Sequence, residues 1–172
     1  MGERRITMST RQISVERFSV TSSKPFLDVL AVIEMAIGRP DMVKFGREVA
    51  ASRTLGELEE VVHSALGQSG LMEFARFDIG GILRREFGGR SPRILRLVVG
   101  NPLIMKQMVR YVSDGASYAP VTILIDERPD GVHLSYDRMA SFLAPYGSPE
   151  ALRVAEDLDS KIEALLTDAS RH

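Results

Sequence analysis

The sequence predicts a single α+β domain, a mostly antiparallel sheet of about five strands with helices packed on one face. Two observations lead there. Short apolar segments with two-residue alternation recur along the 172 residues, and the last two flank the hairpin signal Arg128-Pro129-Asp130-Gly131. Between the strands lie stretches whose apolar residues return every three to four positions, the period of a helix with one buried face. The resulting order is strand, helices, two strands, helix, two strands, helix. Neighbours in that order pair as antiparallel hairpins rather than winding a parallel sheet.

Residues 1–11 carry no periodicity and are expected to form a flexible tail, leaving the domain over 12–170. Strand one is expected from about Gln12 to Thr21. Its apolar residues fall at Ile13 and Val15 and then at Phe18 and Val20, so the alternation slips between Glu16 and Arg17. Either a β-bulge or a strand with only one half facing the core accounts for the slip. Helix one follows, with Ser22 or Ser23 as cap, Pro25 in the first turn, and Phe26, Val29, Leu30, Ile33 and Ile37 inward. Asp41 caps a short second helix after Gly38-Arg39-Pro40. Thr54-Leu55-Gly56-Glu57 reads as a capping box opening a third helix, which Gly67 closes.

Strand two is placed at about Leu71 to Asp78. Gly80-Gly81 then bends or bulges the chain, and Ile82-Leu83 extends the pairing toward Phe87 before a turn at Gly88-Gly89-Arg90-Ser91-Pro92. Strand three, Ile94 to Val99, runs into Gly100-Asn101-Pro102 and a helix to about Val112. A loop to Tyr118 precedes strand four, Ala119 to Asp126, and strand five covers Val132 to Tyr136. A short helix near Arg138 to Ala144 precedes the last one, which opens at Ser148-Pro149-Glu150. There Leu152, Ala155, Leu158, Ile162, Leu165 and Leu166 point inward, and Glu156, Asp157, Asp159 and Glu163 are assigned to a solvated face.

Composition removes several classes of function. The chain is 44% hydrophobic and 26% charged with a net charge of −1, so no basic field calls for nucleic acid or an anionic membrane. It has no cysteine, which excludes disulfides, thiol catalysis and cysteine-ligated clusters. His63, His133 and His172 lie far apart in sequence, so no metal site is expected. No apolar run approaches the ~18 residues of a membrane-spanning helix. The first residues lack the apolar core of a signal peptide, and a cytoplasmic location is the expectation.

P-loop, dinucleotide, zinc-protease and nucleophile-elbow patterns are missing. Asp126 to Asp137 faintly echoes a calcium loop, but Arg128 puts a cation where a ligand oxygen belongs. No cofactor is therefore expected. Four features remain. Asn101, the only asparagine, sits between Gly100 and Pro102 at a strand-to-helix junction. The free N–H groups there suit a carboxylate or phosphate, with Lys106 one turn on, while the plain alternative is a capped helix. Tyr136-Asp137 at the end of strand five suits acid–base work, or Asp137 caps the next helix while the Tyr136 ring packs. Asp78 beside two glycines either faces a cleft or pairs with one of Arg76, Arg84, Arg85 and Arg96. Met105 and Met108 read as core.

The series Leu97-Val98-Val99-Gly100-Asn101-Pro102, Tyr118-Ala119-Pro120, Asp130-Gly131-Val132 and Ser135-Tyr136-Asp137 resembles domain-of-unknown-function family 302. The helix–strand unit from Thr54 to Asp78 is similar to that family as well. The resemblance implies a compact α+β domain, often dimeric, with no established activity. The family often has Asp-His where this chain has Asp78-Ile79, which lowers an acid–base or metal role at that position.

The leading expectation is a homodimeric domain holding a small anionic or carbonyl-bearing ligand in one pocket built from Gly100, Asn101, Tyr136, Asp78 and Asp137. The alternatives are a hydrolase or isomerase using Asp78 or Asp137 as base and Tyr136 as acid, and a dimerisation or interaction module.

Overall fold

A computed structural model describes residues 6–89 and 91–171. Residues 1–5 of the expected tail, Arg90 of the expected turn and His172 lie outside the described residues.

Five strands form one antiparallel sheet: β1 (Arg17–Ser22), β2 (Met72–Asp78), β3 (Ile94–Gly100), β4 (Val121–Arg128) and β5 (Gly131–Asp137). Their spatial order is β1-β5-β4-β3-β2, so the late β4–β5 hairpin lies at the centre and the first strand closes one edge. Seven α-helices are described: α1 (Phe26–Ala36), α2 (Met42–Ala51), α3 (Leu55–Ala65), α4 (Ile79–Phe87), α5 (Pro102–Val109), α6 (Met139–Leu143) and α7 (Pro149–Arg171). The α+β class and the antiparallel five-stranded sheet are those the sequence predicts.

Strand alternation divides the sheet into two unlike faces. Val20, Leu134, Ile125 and Leu95 fall in one cross-strand row, and Phe18, Tyr136, Ile123 and Leu97 in the next. These rows form the floor of the main core, which α1 covers with Val29 and Ile33 and α7 with Ala155, Leu158, Ile162 and Leu166. Each fully buried Leu or Ile contributes roughly 1.5–3 kcal/mol, so the long α7 is a principal contributor to stability. The opposite face carries the row Phe77, Arg96, Leu124, Ser135 and Ser19. Phe77, Arg96 and Ser19 are exposed there and Leu124 is half-buried, so this face is open.

Several caps form as the sequence indicates. Asp41 accepts from the Val43 and Lys44 amides, and Thr54 accepts from Glu57 N at 3.2 Å. The reciprocal bond of the box runs from Arg53 N to Glu57 Oε2, one residue earlier than the ideal motif.

Other segments differ from expectation. Strand one begins only at Arg17, because Glu16 turns to the α6 region, its N–H donating to Ser141 Oγ and its carbonyl accepting from Arg138 N. Neither Ser22 nor Ser23 caps α1: Pro25 occupies the cap position, and Ser22 Oγ accepts from Lys24 N. The stretch 79–87 is a helix rather than an extension of strand two. Asp78 caps it through Gly81 N at 2.8 Å, and Gly80 permits close contact with the start of β3, where a Cβ would lie 2.7 Å from Ile94 N. The helix after Asn101 ends at Val109, and a 3-10 turn, Ser113–Ser117, takes up part of the expected loop.

A second, smaller cluster of Phe45, Val62, Ala65 and Met72 joins α2 and α3 to β2. The chain enters and leaves this hairpin through Gly38 and Gly67, whose amides both donate to Leu71 O, at 2.8 and 2.9 Å. A Cβ on Gly38 would overlap the Ala65 carbonyl, and one on Gly67 would overlap the Ala36 carbonyl. Backbone, not a flexible side chain, occupies both spaces. Gly38→Ala and Gly67→Ala are each expected to destabilise the fold by about 3 kcal/mol, measured by urea unfolding, because neither crossing strand of backbone can move aside without losing its hydrogen bonds.

Candidate functional site

Gly100 closes β3, and Asn101 caps α5. Asn101 Oδ1 accepts from Leu103 N at 2.8 Å while Nδ2 donates to Gly70 O at 2.9 Å. The amide of Met105 donates to Asn101 O, and Pro102 has no N–H. Lys106 pairs with Glu59 at 3.7 Å. The first turn of α5 therefore has few donors left for an anion. Gly100 is buried, with an added Cβ at 3.1 Å from Pro120 Cβ. The cavity beside Gly100 and Asn101 is walled by Phe74, Ile104, Met108, Val121 and Leu158 and measures about 50 Å³. That is room for a water or a methyl-sized group.

Tyr136 points into the core and is 1% exposed. Its hydroxyl donates to Asp159 Oδ1 at 2.5 Å. Asp159 Oδ1 also accepts from Met139 N at 2.7 Å, and Oδ2 accepts from Ala140 N at 3.0 Å. The α7 carboxylate thus caps α6 across space, which corrects two expectations: Asp159 is buried rather than solvated, and Asp137 does not cap the short helix. Burial pushes the Tyr136 hydroxyl far above its usual value, and the adjacent Asp159 charge adds to the rise. Burial also raises the Asp159 carboxyl, opposed by the three donors that hold its charged form.

Asp137 follows Tyr136 in β5, so its side chain emerges on the other face of the sheet. There Arg17, directly opposite in β1, grips it with two bonds of 2.6 and 2.9 Å. The Tyr136 hydroxyl and the Asp137 carboxylate are separated by the sheet and do not assemble as an acid–base pair. Asp78 caps α4 with one oxygen and pairs with Arg84 through the other at 2.9 Å. It lines a separate cavity, away from both.

The five residues expected in one pocket thus occupy four places, Gly100 and Asn101 at the α5 cap, Tyr136 in the core, Asp78 at the α4 cap and Asp137 on the open face. A cavity of about 420 Å³ lies on the open face, beside Asp137. Its floor includes Arg17 and Asp137 from the sheet edge and Arg96, Thr122, Leu124 and Ser135 from the centre, and Ser117, Tyr118 and Phe142 form its wall. The Tyr118 and Phe142 rings stack with centroids 4.8 Å apart and planes 13° from parallel. Tyr118 is fixed further by a 2.7 Å hydrogen bond between its hydroxyl and that of Tyr146. Arg96 sits over the Phe77 ring at 5.7 Å and reaches Thr122 Oγ1 at 3.4 Å, and it has no ion-pair partner among the described residues. Sequence reasoning put Arg96 only among the neighbours of Asp78. Its alternation with Leu95 and Leu97 was the signal that a cation stands on the open face. No group of three or more metal-ligating side chains is arranged to hold an ion, and no helix is long and apolar enough to cross a membrane, among the described residues.

A family model described as "Domain of unknown function DUF302" matches residues 47–169. A crystal structure of an uncharacterized conserved DUF302 protein from Bacillus stearothermophilus is similar in fold, with a TM-score of 0.63 at 14% sequence identity over 90% of this chain and 98% of that one. No curated protein matches the chain.

Tyr136→Phe is expected to cost about 2 kcal/mol in urea unfolding, the worth of a hydrogen bond to a charged acceptor. Wild-type stability also has a pH dependence that the variant lacks. The unfolded tyrosine releases its proton near pH ~10 while the folded one keeps it, so stability falls as pH rises above that value. The wild-type advantage over Tyr136→Phe should therefore shrink between about pH 9 and 11. Asp159→Ala strands a hydroxyl and two amides in the core and should cost about 3 kcal/mol or more.

Proposed function

Because the chain belongs to the DUF302 family, whose description assigns no activity, we propose a function from the geometry: the domain binds a small anionic ligand on the open face of its sheet. One observation carries this reading. Two cations line the cavity, and Asp137 neutralises Arg17, whereas Arg96 has no carboxylate among the described residues. A charge held on a sheet with most of its donors unfilled favours an anion, and a guanidinium takes a carboxylate or phosphate in two parallel bonds. The hydroxyls of Ser117, Thr122 and Ser135 can donate to further oxygens of the ligand, a carbonyl included. Leu124 and the stacked Tyr118–Phe142 pair offer an apolar bed for a planar body. The ligand of this reading lies across the sheet from the Asn101 cap, since the α5 amides are mostly engaged.

A homodimer through the open face and the adjoining β2 edge is a second reading. Phe77 is 47% exposed on the open face, and Ile82 and Phe87 of the adjoining α4 are 59% and 71% exposed. Exposed apolar surface of this kind favours a protein cover. Sedimentation velocity over a hundredfold concentration range tests it: a monomer throughout counts against the dimer.

A thermal-shift screen of aromatic carboxylates and phosphate monoesters tests the ligand. At least one compound should raise the melting temperature saturably. Arg96→Gln should weaken its binding about thirtyfold, equivalent to roughly 2 kcal/mol for a lost charged hydrogen-bond pair. Binding that survives Arg96→Gln unchanged overturns the assignment.

A further inference from the structure

On the helix-covered side of the sheet, at the end where β3 begins, α1, β2, β3 and α4 enclose a cleft of about 290 Å³. Three guanidiniums line it, those of Arg76, Arg84 and Arg93, and their states differ. Arg76 is fully engaged: Glu73 takes its Nε and Nη2 at 2.9 and 2.7 Å, and Glu34 takes Nη1 at 2.6 Å. It serves as a fixed wall. Arg84 gives Nη2 to Asp78 at 2.9 Å. Arg93 has no ion-pair partner among the described residues. Its guanidinium sits over the Phe26 ring, 5.7 Å from the centroid, and its own backbone N–H donates to Glu127 Oε2 at 2.8 Å.

Contact with a ring engages the face of a guanidinium, whereas its five N–H donors lie in the plane and stay free for an acceptor. The local charge then sets the valence of that acceptor. Glu34 and Glu73 are shared by Arg76 and Arg39, and Asp78 holds Arg84, so four guanidiniums meet three acids and the cation left without its own acid is Arg93. A single unmatched guanidinium suits a monoanion better than a dianion. Apart from these arginines and Asp78, which is engaged with Arg84 and Gly81 N, the lining is apolar: Phe26, Leu30, Leu95 and Ile94, the first three of them buried parts of the core. A free inorganic anion gains nothing from those surfaces, while an alkyl chain does. At this volume the guest is small.

We propose that this cleft binds a small apolar monocarboxylate, its carboxylate held by Arg93 and Arg84 and its hydrocarbon laid on Phe26, Leu30 and Leu95. The geometry is a bidentate guanidinium–carboxylate pair at the mouth with an alkyl chain directed inward. Asp78, singled out from the sequence as a possible base or ligand, acts here as a positioning residue that holds Arg84. The site is independent of the open-face cavity, with which it shares no lining residue.

The test is a titration of the full chain with hexanoate, followed by amide chemical shifts. Hexanoate should move the Arg93, Ile94 and Leu95 amides saturably, whereas acetate, which lacks the chain, and hexanol, which lacks the charge, should not. Arg93→Gln should weaken hexanoate at least tenfold and Arg93→Lys less, while Arg96→Gln leaves it unchanged. Circular dichroism confirms that each variant is folded, and Arg84→Gln, expected to weaken binding severalfold, substitutes if Arg93→Gln is not. The proposal is overturned if hexanoate produces no saturable shift at these amides. It also fails if Arg93→Gln, or Arg84→Gln in its place, binds as well as wild type, or if inorganic phosphate saturates the cleft and hexanoate does not. Loss of the open-face ligand in Arg96→Gln, with hexanoate binding intact, separates the two sites.

Discussion

The Asp159 carboxylate is the interaction on which the second half of this fold depends. It ties the buried hydroxyl of β5 to the first two amides of α6 from a position in the middle of α7. Without it α6 would start with unsatisfied N–H groups inside the core, since the structure gives that helix no side-chain cap of its own. The same bonds fix where α7 crosses the sheet, and α7 in turn packs on α1, α5 and α6. A single acid thus sets the spacing between the sheet and the helices that cover it. Its surroundings are those in which a buried polar group is tolerated, with every partner made and none spare.

Alternation of side chains then determines what remains available for recognition. Tyr136 and Asp137 are adjacent in sequence, yet one closes the core and the other pairs with Arg17 on the open face. The arginines of β3 and its approach divide in the same manner. Arg96 stands over the open face, and Arg93 stands at the mouth of the cleft beneath α1. Two cations three residues apart consequently line different cavities, one on either side of the same sheet.

Much of the architecture was legible because it rests on local chemistry. The capping residues Asp41, Thr54 and Asn101, the hairpin at Pro129-Asp130 and the apolar stripe of α7 are all written within a few residues of where they act. The pairing of Arg17 with Asp137 was not, because it depends on β1 adding to β5 across 120 residues of chain. Gly80-Gly81 misled because paired glycines fit a bulge as well as a tight helical first turn. The four-residue spacing of Ile79, Leu83 and Phe87 was the competing signal there. Asp159 was assigned to solvent by its charge, although its place four after Ala155 and three before Ile162 puts it on the buried stripe. An acid on the core side of a helix is a demand for partners, and that demand was the clue to the Tyr136 network.

The crossing of Gly38 and Gly67 gives the α2–α3 hairpin a topology of its own. Leu71 O joins both ends of the excursion, and Ser69 N and Glu73 N close the neck from either side by bonding Ala36 O and Gly38 O. Everything between the two glycines is an excursion tied at its neck by backbone bonds and packed onto β2 through Phe45, Val62, Ala65 and Met72. The neck bonds run from backbone to backbone, so they hold independently of which side chains the loop carries. The hairpin is thus held twice, by backbone bonds at its neck and by a small apolar cluster along β2.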